Sequence, residues 1–234
     1  MNRFLYLLKT FFSRLNLLFE RYWAESFSQE GEDMLLRKIF ENHKPGFYVD
    51  VGAHHPKRFS NTYYFYKRNW SGINIDAAPG SMEQFNKSRK RDTNIEAAVS
   101  NQSSELTFYI FDEPALNTLD KDVADERAAE GKNSLTGEAK VITKTLADIL
   151  NRHISPNTEI DFLSVDVEGY DLEVLSSNDW QKYRPRFIVV ECFGKGSFED
   201  IISDDTYKFL SGKNYTLYAK TINTCIFRDN QKLN

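Results

Sequence analysis

Four short apolar runs in this 234-residue chain end on or beside an acid, and those acids are the groups best placed to do chemistry. FYVDV (47–51) leads through Asp50 into a turn with a single glycine, Gly52, and GINID (72–76) ends on Asp76. IDFLSVD (160–166) ends on Asp166, with Glu168, Gly169 and Asp171 beyond it, and RFIVVEC (186–192) carries Glu191. A pyrophosphate cradle wants several glycines opening a helix and no carboxylate beside them. One glycine next to Asp50 suits instead a ligand with a positive group and no pyrophosphate. Asp76, 24 residues after Gly52, has two oxygens that can accept both hydroxyls of a ribose. Taken singly, each acid reads as well as a helix cap or a solvated loop residue. Their order at successive strand tips is what points to a nucleoside with a cationic head.

Asp166, Glu168 and Glu191 are expected to converge on one cleft, where crowded carboxylates raise one another's pKa and supply a base. A placed base contributes roughly 10²–10⁴-fold to removal of a hydroxyl proton. Two readings stay open. In the first, Asp166 holds the cationic end of the ligand while Glu168 or Glu191 serves the acceptor. In the second, the cluster holds a divalent cation through hard oxygen ligands. The metal-free reading is preferred, and no residue is assigned as a metal ligand. His54 is a further candidate base, whereas His55, before Pro56, reads as structural. Ser60, Asn61 and Thr62 open the next helix as caps or as contacts to a ligand carboxylate. Gln29, Glu30 and Asp33 open the preceding helix and stand where they could close over the ligand. The KSRKR run (87–91) reads as a solvated helix end. Cys192 and Cys225 read as two small buried groups in a reducing compartment, unpaired and too far apart for a zinc set.

The elements that must position these residues alternate in period. The spacing predicts helices over 28–40, 62–70, 80–91, 145–152 and 199–210, and strands over 47–51, 72–76, 94–100, 160–166 and 186–192. LTFYIF (106–111) and KVITKTL (140–146) form an extra strand pair, and YTLYAK with NTCIFRD closes the chain as an antiparallel pair. Apolar strands separated by helices argue for a parallel sheet covered on both faces. Residues 112–139 are charged and weakly patterned, and with ALNT (115–118) they form a candidate lid over the acceptor.

Composition narrows the classes. With 41% hydrophobic and 27% charged residues the chain is neither low-complexity nor a disulfide scaffold, and a net charge of −4 disfavours nucleic acid as a partner. Residues 1–25 lack a cleavable leader's unbroken apolar core, yet Phe4, Leu8, Phe11, Leu15, Leu18 and Tyr22 form a helical stripe. That stripe suits docking on its own domain, a homodimer contact, or peripheral contact with the inner face of a membrane from the cytoplasmic side.

The segments FSQEGED (27–33), YVDVGAHHP (48–56), SNTYYFYKRNWSGINIDAAPGSMEQF (60–85), NIEAAVS (94–100), ALNT (115–118) and IDFLSVDVEGYDLEVL (160–175) together resemble the FkbM-type methyltransferases. The resemblance covers residues 26–230. It implies a class I methyltransferase fold: an α/β, Rossmann-like, seven-stranded sheet, mostly parallel with the last strand antiparallel, and helices on both faces. It implies S-adenosyl-L-methionine as cofactor, agreeing with the strand-tip chemistry, with Gln29, Asp50, Gly52, Ala53, Ser60, Asn61, Asp76, Ala77, Ala97 and Asp166 around it. It also implies O-methylation of a sugar hydroxyl in a polysaccharide or glycolipid precursor. The matching family position often holds glutamate where this chain has Asp76, a shorter arm toward the ribose. Two rivals remain: a nicotinamide-dependent oxidoreductase, which lacks its glycine fingerprint here, and a non-catalytic membrane-associated scaffold.

Overall fold

The computed structural model describes residues 24–192 and 197–232. All but the last two residues of the amphipathic stretch 1–25 lie outside them.

The four apolar runs form the middle of a seven-stranded sheet. β1 (Phe47–Val51), β2 (Ser71–Asp76) and β3 (Thr93–Glu96) lie on one side, and β7 (Phe162–Val165) and β8 (Phe187–Glu191) on the other. The sheet closes with β9 (Tyr215–Lys220) and β10 (Thr224–Asp229), in the order β3-β2-β1-β7-β8-β10-β9. All neighbours are parallel except β10, which runs antiparallel to both β8 and β9. Strand order reverses between β1 and β7, so a crevice opens beyond their carboxyl ends.

Alternation along each strand feeds two cores. Val49, Val51, Ile73, Ile75, Leu163, Val165, Ile188 and Val190 point to one face. They pack there against α5 (Leu146–His153), α6 (Asp171–Ser176) and α8 (Asp205–Gly212). Tyr48, Phe162, Phe187 and Ile226 point to the other, under α1 (Glu32–Ile39) and α2 (Tyr63–Tyr66), where Phe40, Phe65 and Trp70 complete an aromatic cluster. α3 (Met82–Ser88) follows β2, and α7 (Phe198–Ser203) precedes α8.

Several expectations shift. The single strand expected over 94–100 breaks at Ala97: β3 stays in the main sheet, while β4 (Ala98–Val99) joins a second, three-stranded sheet with β5 (Glu105–Phe111) and β6 (Leu135–Lys144). The weakly patterned stretch 112–139 holds a 3-10 turn (Pro114–Leu116) and α4 (Lys121–Glu130). α4 is capped by the Asp120 carboxylate, which accepts from the Asp122 and Val123 amides, and it is closed by left-handed Gly131. The helix expected over 199–210 is two helices broken at Asp204.

Two corrections concern charge and sulfur. Arg89, in the run read as solvated, is wholly buried. Its Nε pairs with Asp92 at 2.9 Å, and its other nitrogens donate to the Pro56 carbonyl, the Tyr48 hydroxyl and the Thr62 hydroxyl. Cys192 and Cys225 form a disulfide with Cα atoms 6.0 Å apart. The antiparallel register of β10 on β8, which sets Cys225 against Val190, brings together two residues 33 apart in sequence. The pairing removes the support that unlinked thiols lent to a reducing compartment. No helix among the described residues is long and apolar enough to cross a membrane.

Candidate active site

Gly52 turns the chain out of β1 at φ 79°, and a Cβ there would come within 1.7 Å of the Asp166 carbonyl oxygen. Only glycine lets the turns after β1 and β7 approach this closely. Beside them Asp76, at the tip of β2, accepts from the His54 amide at 2.8 Å and the Ala78 amide at 2.9 Å. Those bonds aim the carboxylate and leave it lone pairs for two hydroxyls. Burial raises its pKa, and the two amides oppose that shift. A cavity opens here between Gly52, Asp76, Ala77, Ala97 and Asp166, with Ile75, Val99 and Phe108 forming an apolar slot.

A second cavity, of about 440 Å³, lies on the far side of Asp166 and Glu168, which line both. Gln29, Glu30, Asn61, Glu191, Asn223 and Thr224 make its polar wall. One carboxylate oxygen from each of Asp166, Glu168 and Glu191 lies within 4.8 Å of the other two. Asp166 faces the open cavity, and its carboxylate has no hydrogen-bond partner among the described residues. Although Asp166 is open to the cavity, the protein packed around its carboxylate, and behind it the charges of Glu191 and Glu168, push it well above the usual carboxylate range. Burial, with Glu168 and Asp171 behind it, pushes Glu191 up to about 9. Burial raises Glu168 as well, but there the Arg127 guanidinium opposes it through an ion pair. Glu168 is thus the trio's member tied to a cation, and Arg127 also donates to the Leu116 carbonyl at 2.7 Å.

The expected site residues divide. Gly52, Asp76, Ala77, Ala97 and Asp166 line the first cavity, as does His54, whose pKa burial lowers. Gln29, Asn61, Glu168 and Glu191 line the second. Three expected contacts lie away from both. Asp50, within β1, is buried with its carboxylate accepting from the Thr62 hydroxyl at 2.9 Å, and burial pushes it up to about 6. Ala53 packs with Met82 and Phe85, and Ser60 caps α2 by accepting from the Tyr63 amide at 3.1 Å. His55 is structural, its Nδ1 accepting from the amides of Lys57 and Arg58. Glu30 ties the chain start to the β9–β10 turn, accepting from Thr221 and Asn223. Asp33 accepts from Ser26, Ser28 and the Phe27 amide.

A family model for the methyltransferase FkbM domain matches residues 50–217, well over half of the chain. This chain belongs to the FkbM methyltransferase family. Its fold is that of the class I methyltransferases, and it is similar to the solved methyltransferase FkbM from Methylobacillus flagellatus KT. The match has 12% identity and a TM-score of 0.53, covering 86% of this chain and 48% of that one. The chain thus spans about half the length of that relative. It also matches a precorrin-6y C5,15-methyltransferase from Geobacter metallireducens GS-15 at 13% identity and TM-score 0.43, over 89% of this chain and 92% of that one. A methyltransferase from Geobacter sulfurreducens matches at 9% identity and TM-score 0.45, over 93% and 96% of the two chains. No curated protein matches.

Within this FkbM domain the residues present fit S-adenosylmethionine: Asp76 could hold a ribose, the slot of Ile75, Val99 and Phe108 could take a planar base, and the Asp166 carboxylate on the same cavity suits a positive group. The clustered oxygens of Asp166, Glu168 and Glu191 also have the spacing and hardness to hold a divalent cation. Arg127 is the functional residue that sequence reasoning missed. Its partner lies 41 residues away, and the segment that carries it shows no periodicity. Its only signal was that it is the one arginine in the candidate lid.

Proposed function

We propose that this protein transfers a methyl group from S-adenosylmethionine to a hydroxyl of a sugar in a polysaccharide or glycolipid precursor. The observation that carries the reading is the pair Asp166 and Glu168 standing between two cavities, one suited to a nucleoside and one walled by polar side chains. S-adenosylmethionine, when bound, supplies a methyl group on a positively charged sulfur. Asp76 holds the ribose, and Asp166 faces the positive end. Gln29, Asn61 and Asn223 offer amide donors and acceptors suited to a polyhydroxy acceptor. Holding the acceptor oxygen in line with the methyl accounts for much of the catalysis. As the new C–O bond forms and the S–C bond breaks, the hydroxyl proton passes to Glu168, whose ionised form Arg127 favours. Glu191, protonated at neutral pH, donates a hydrogen bond to the acceptor or to Glu168.

Calorimetry with S-adenosylhomocysteine tests the donor half. Binding is expected, and Asp76→Ala is expected to weaken it by about 1.5–3 kcal/mol through lost bonds to a charged group. No heat at about millimolar ligand, or equal affinity in the variant, removes the reading. Mass spectrometry of candidate glycans offered with labelled donor tests the acceptor half.

A further inference from the structure

We propose that the rim of the sheet opposite the active site binds a phosphate group. β8 leaves the sheet at Glu191 in the active site and enters it at Phe187, about 13 Å away along the strand. At that entry a cavity of about 460 Å³ lies between α1, the start of β8, β9 and the end of β10. Four permanent cations line it, Lys38, Arg186, Arg228 and Lys232, together with His43, and no carboxylate does. Its floor is apolar, with Leu35, Ile39 and Ala219 beside the Phe187 and Tyr218 rings.

The cations are unequally compensated. Lys38 pairs with exposed Glu41 at 2.5 Å, and Arg186 stands 3.5 Å from Asp161. Lys232 donates to the Arg184 carbonyl at 3.0 Å, which leaves its charge unpaired among the described residues. Arg228 is half-buried, and its side chain has neither an ion pair nor a hydrogen bond among the described residues. Its Nε is shut off from solvent with no acceptor, and its guanidinium lies 5.2 Å over the Tyr218 ring. A guanidinium with one nitrogen shut off from water and no counter-charge is held at a cost, and ring stacking offsets only part of it. An anion with several oxygens compensates two guanidinium groups and an ammonium at once, and phosphate matches the planar donor fork. The apolar floor then receives the carbon body of a phosphate ester, carried either by an anionic lipid headgroup or by a soluble metabolite.

Pyrophosphate, titrated calorimetrically into the full-length protein at low ionic strength, is the probe. Binding is expected in the wild type and at least about tenfold weaker binding in Arg228→Met, with S-adenosylhomocysteine affinity unchanged in both. Without ligand, Arg228→Met is expected to unfold at a higher temperature, since an unpaired charge is removed, and to lose the rise that pyrophosphate gives the wild type. Lys232→Met, a change nearer the surface, is expected to weaken pyrophosphate binding in the same direction and serves if Arg228→Met does not fold. No heat with the wild type, or equal affinity in the wild type and both variants, overturns the site. Sedimentation with phosphatidylcholine vesicles, with and without phosphatidic acid, separates the two sources. Phosphatidic-acid-dependent binding that falls in the variants assigns a lipid headgroup, and vesicle binding equal in all forms, with the pyrophosphate difference kept, assigns a soluble ester.

Discussion

Arg127 and Glu191 divide the work of one crowded acid cluster. Arg127 pairs with Glu168 and so resists the rise that burial imposes on that carboxylate. Replacing it with methionine keeps much of the packing and removes the cation, so the Glu168 pKa rises further. If Glu168 takes the proton, the acidic limb of the kcat–pH profile moves to higher pH in Arg127→Met, while affinity for S-adenosylhomocysteine stays within a few-fold. A profile that falls in height without moving would assign Arg127 a structural role only. Glu191 makes a different prediction. Its folded pKa of about 9 lies above its value in the unfolded chain, so the folded state holds the extra proton. Stability from this group is therefore greatest below the unfolded pKa and falls as pH rises toward about 9. Urea midpoints measured across that range are expected to decline, and Glu191→Gln, which cannot ionise, is expected to flatten the decline.

The connection between β5 and β6 shows how an element of little intrinsic pattern comes to wall a site. Its 3-10 turn lines the donor cavity through Pro114, Ala115 and Asn117, and α4 lines the second cavity through Val123, Glu126 and Arg127. It is held by Arg58 on Glu113 at 2.9 and 3.0 Å and by the Thr118 hydroxyl on the Glu168 carbonyl at 2.8 Å. It also rests on Gly169, φ 97°, where a Cβ would stand 2.8 Å from a Val123 methyl. Gly169→Ala is expected to push α4 off the β7 tip, to raise the acceptor KM several-fold and to leave affinity for S-adenosylhomocysteine nearly unchanged. An unaltered KM would show that α4 does not form the acceptor wall. The strands beneath were legible because burial on both faces writes itself into FYVDV, FLSV and FIVVE as apolar runs. The tip acids were legible from their order. Asp50 was misplaced because its position at a strand end says nothing of which side its carboxylate takes, and here Thr62 draws it inward. Arg89 and Arg127 were illegible for the same physical reason: apart from Asp92, three residues after Arg89, their side-chain partners are ones that only the folded chain brings near.

At the scale of the whole molecule, the sheet joins a parallel part that carries the donor cavity to an antiparallel end that β10 inserts beside β8. That junction is fastened by the Cys192–Cys225 disulfide, by Glu30 on the β9–β10 turn, and by Arg184 on Asp229 at 2.7 Å. Closing a loop of 33 residues removes unfolded-state entropy equivalent to about 4 kcal/mol. Cutting the bond, by reduction or by replacing both cysteines with alanine, should therefore lower the unfolding free energy measured in urea by that order and move the midpoint down with it. The loss should not spread evenly over the two cavities. The donor cavity lies across β1, β2 and the tip of β7, with the Gly52 turn hydrogen-bonded to the Ile75 carbonyl at 2.9 Å, none of which touches the sulfurs. The second cavity includes Cys192 itself, next in sequence to Glu191. Calorimetry on the reduced protein is thus expected to give unchanged affinity for S-adenosylhomocysteine, while the acceptor KM rises. Equal urea midpoints with and without reductant would mean that the two thiols are not joined in solution. A parallel fall in donor affinity would mean that the antiparallel end supports the whole sheet, not the acceptor side alone.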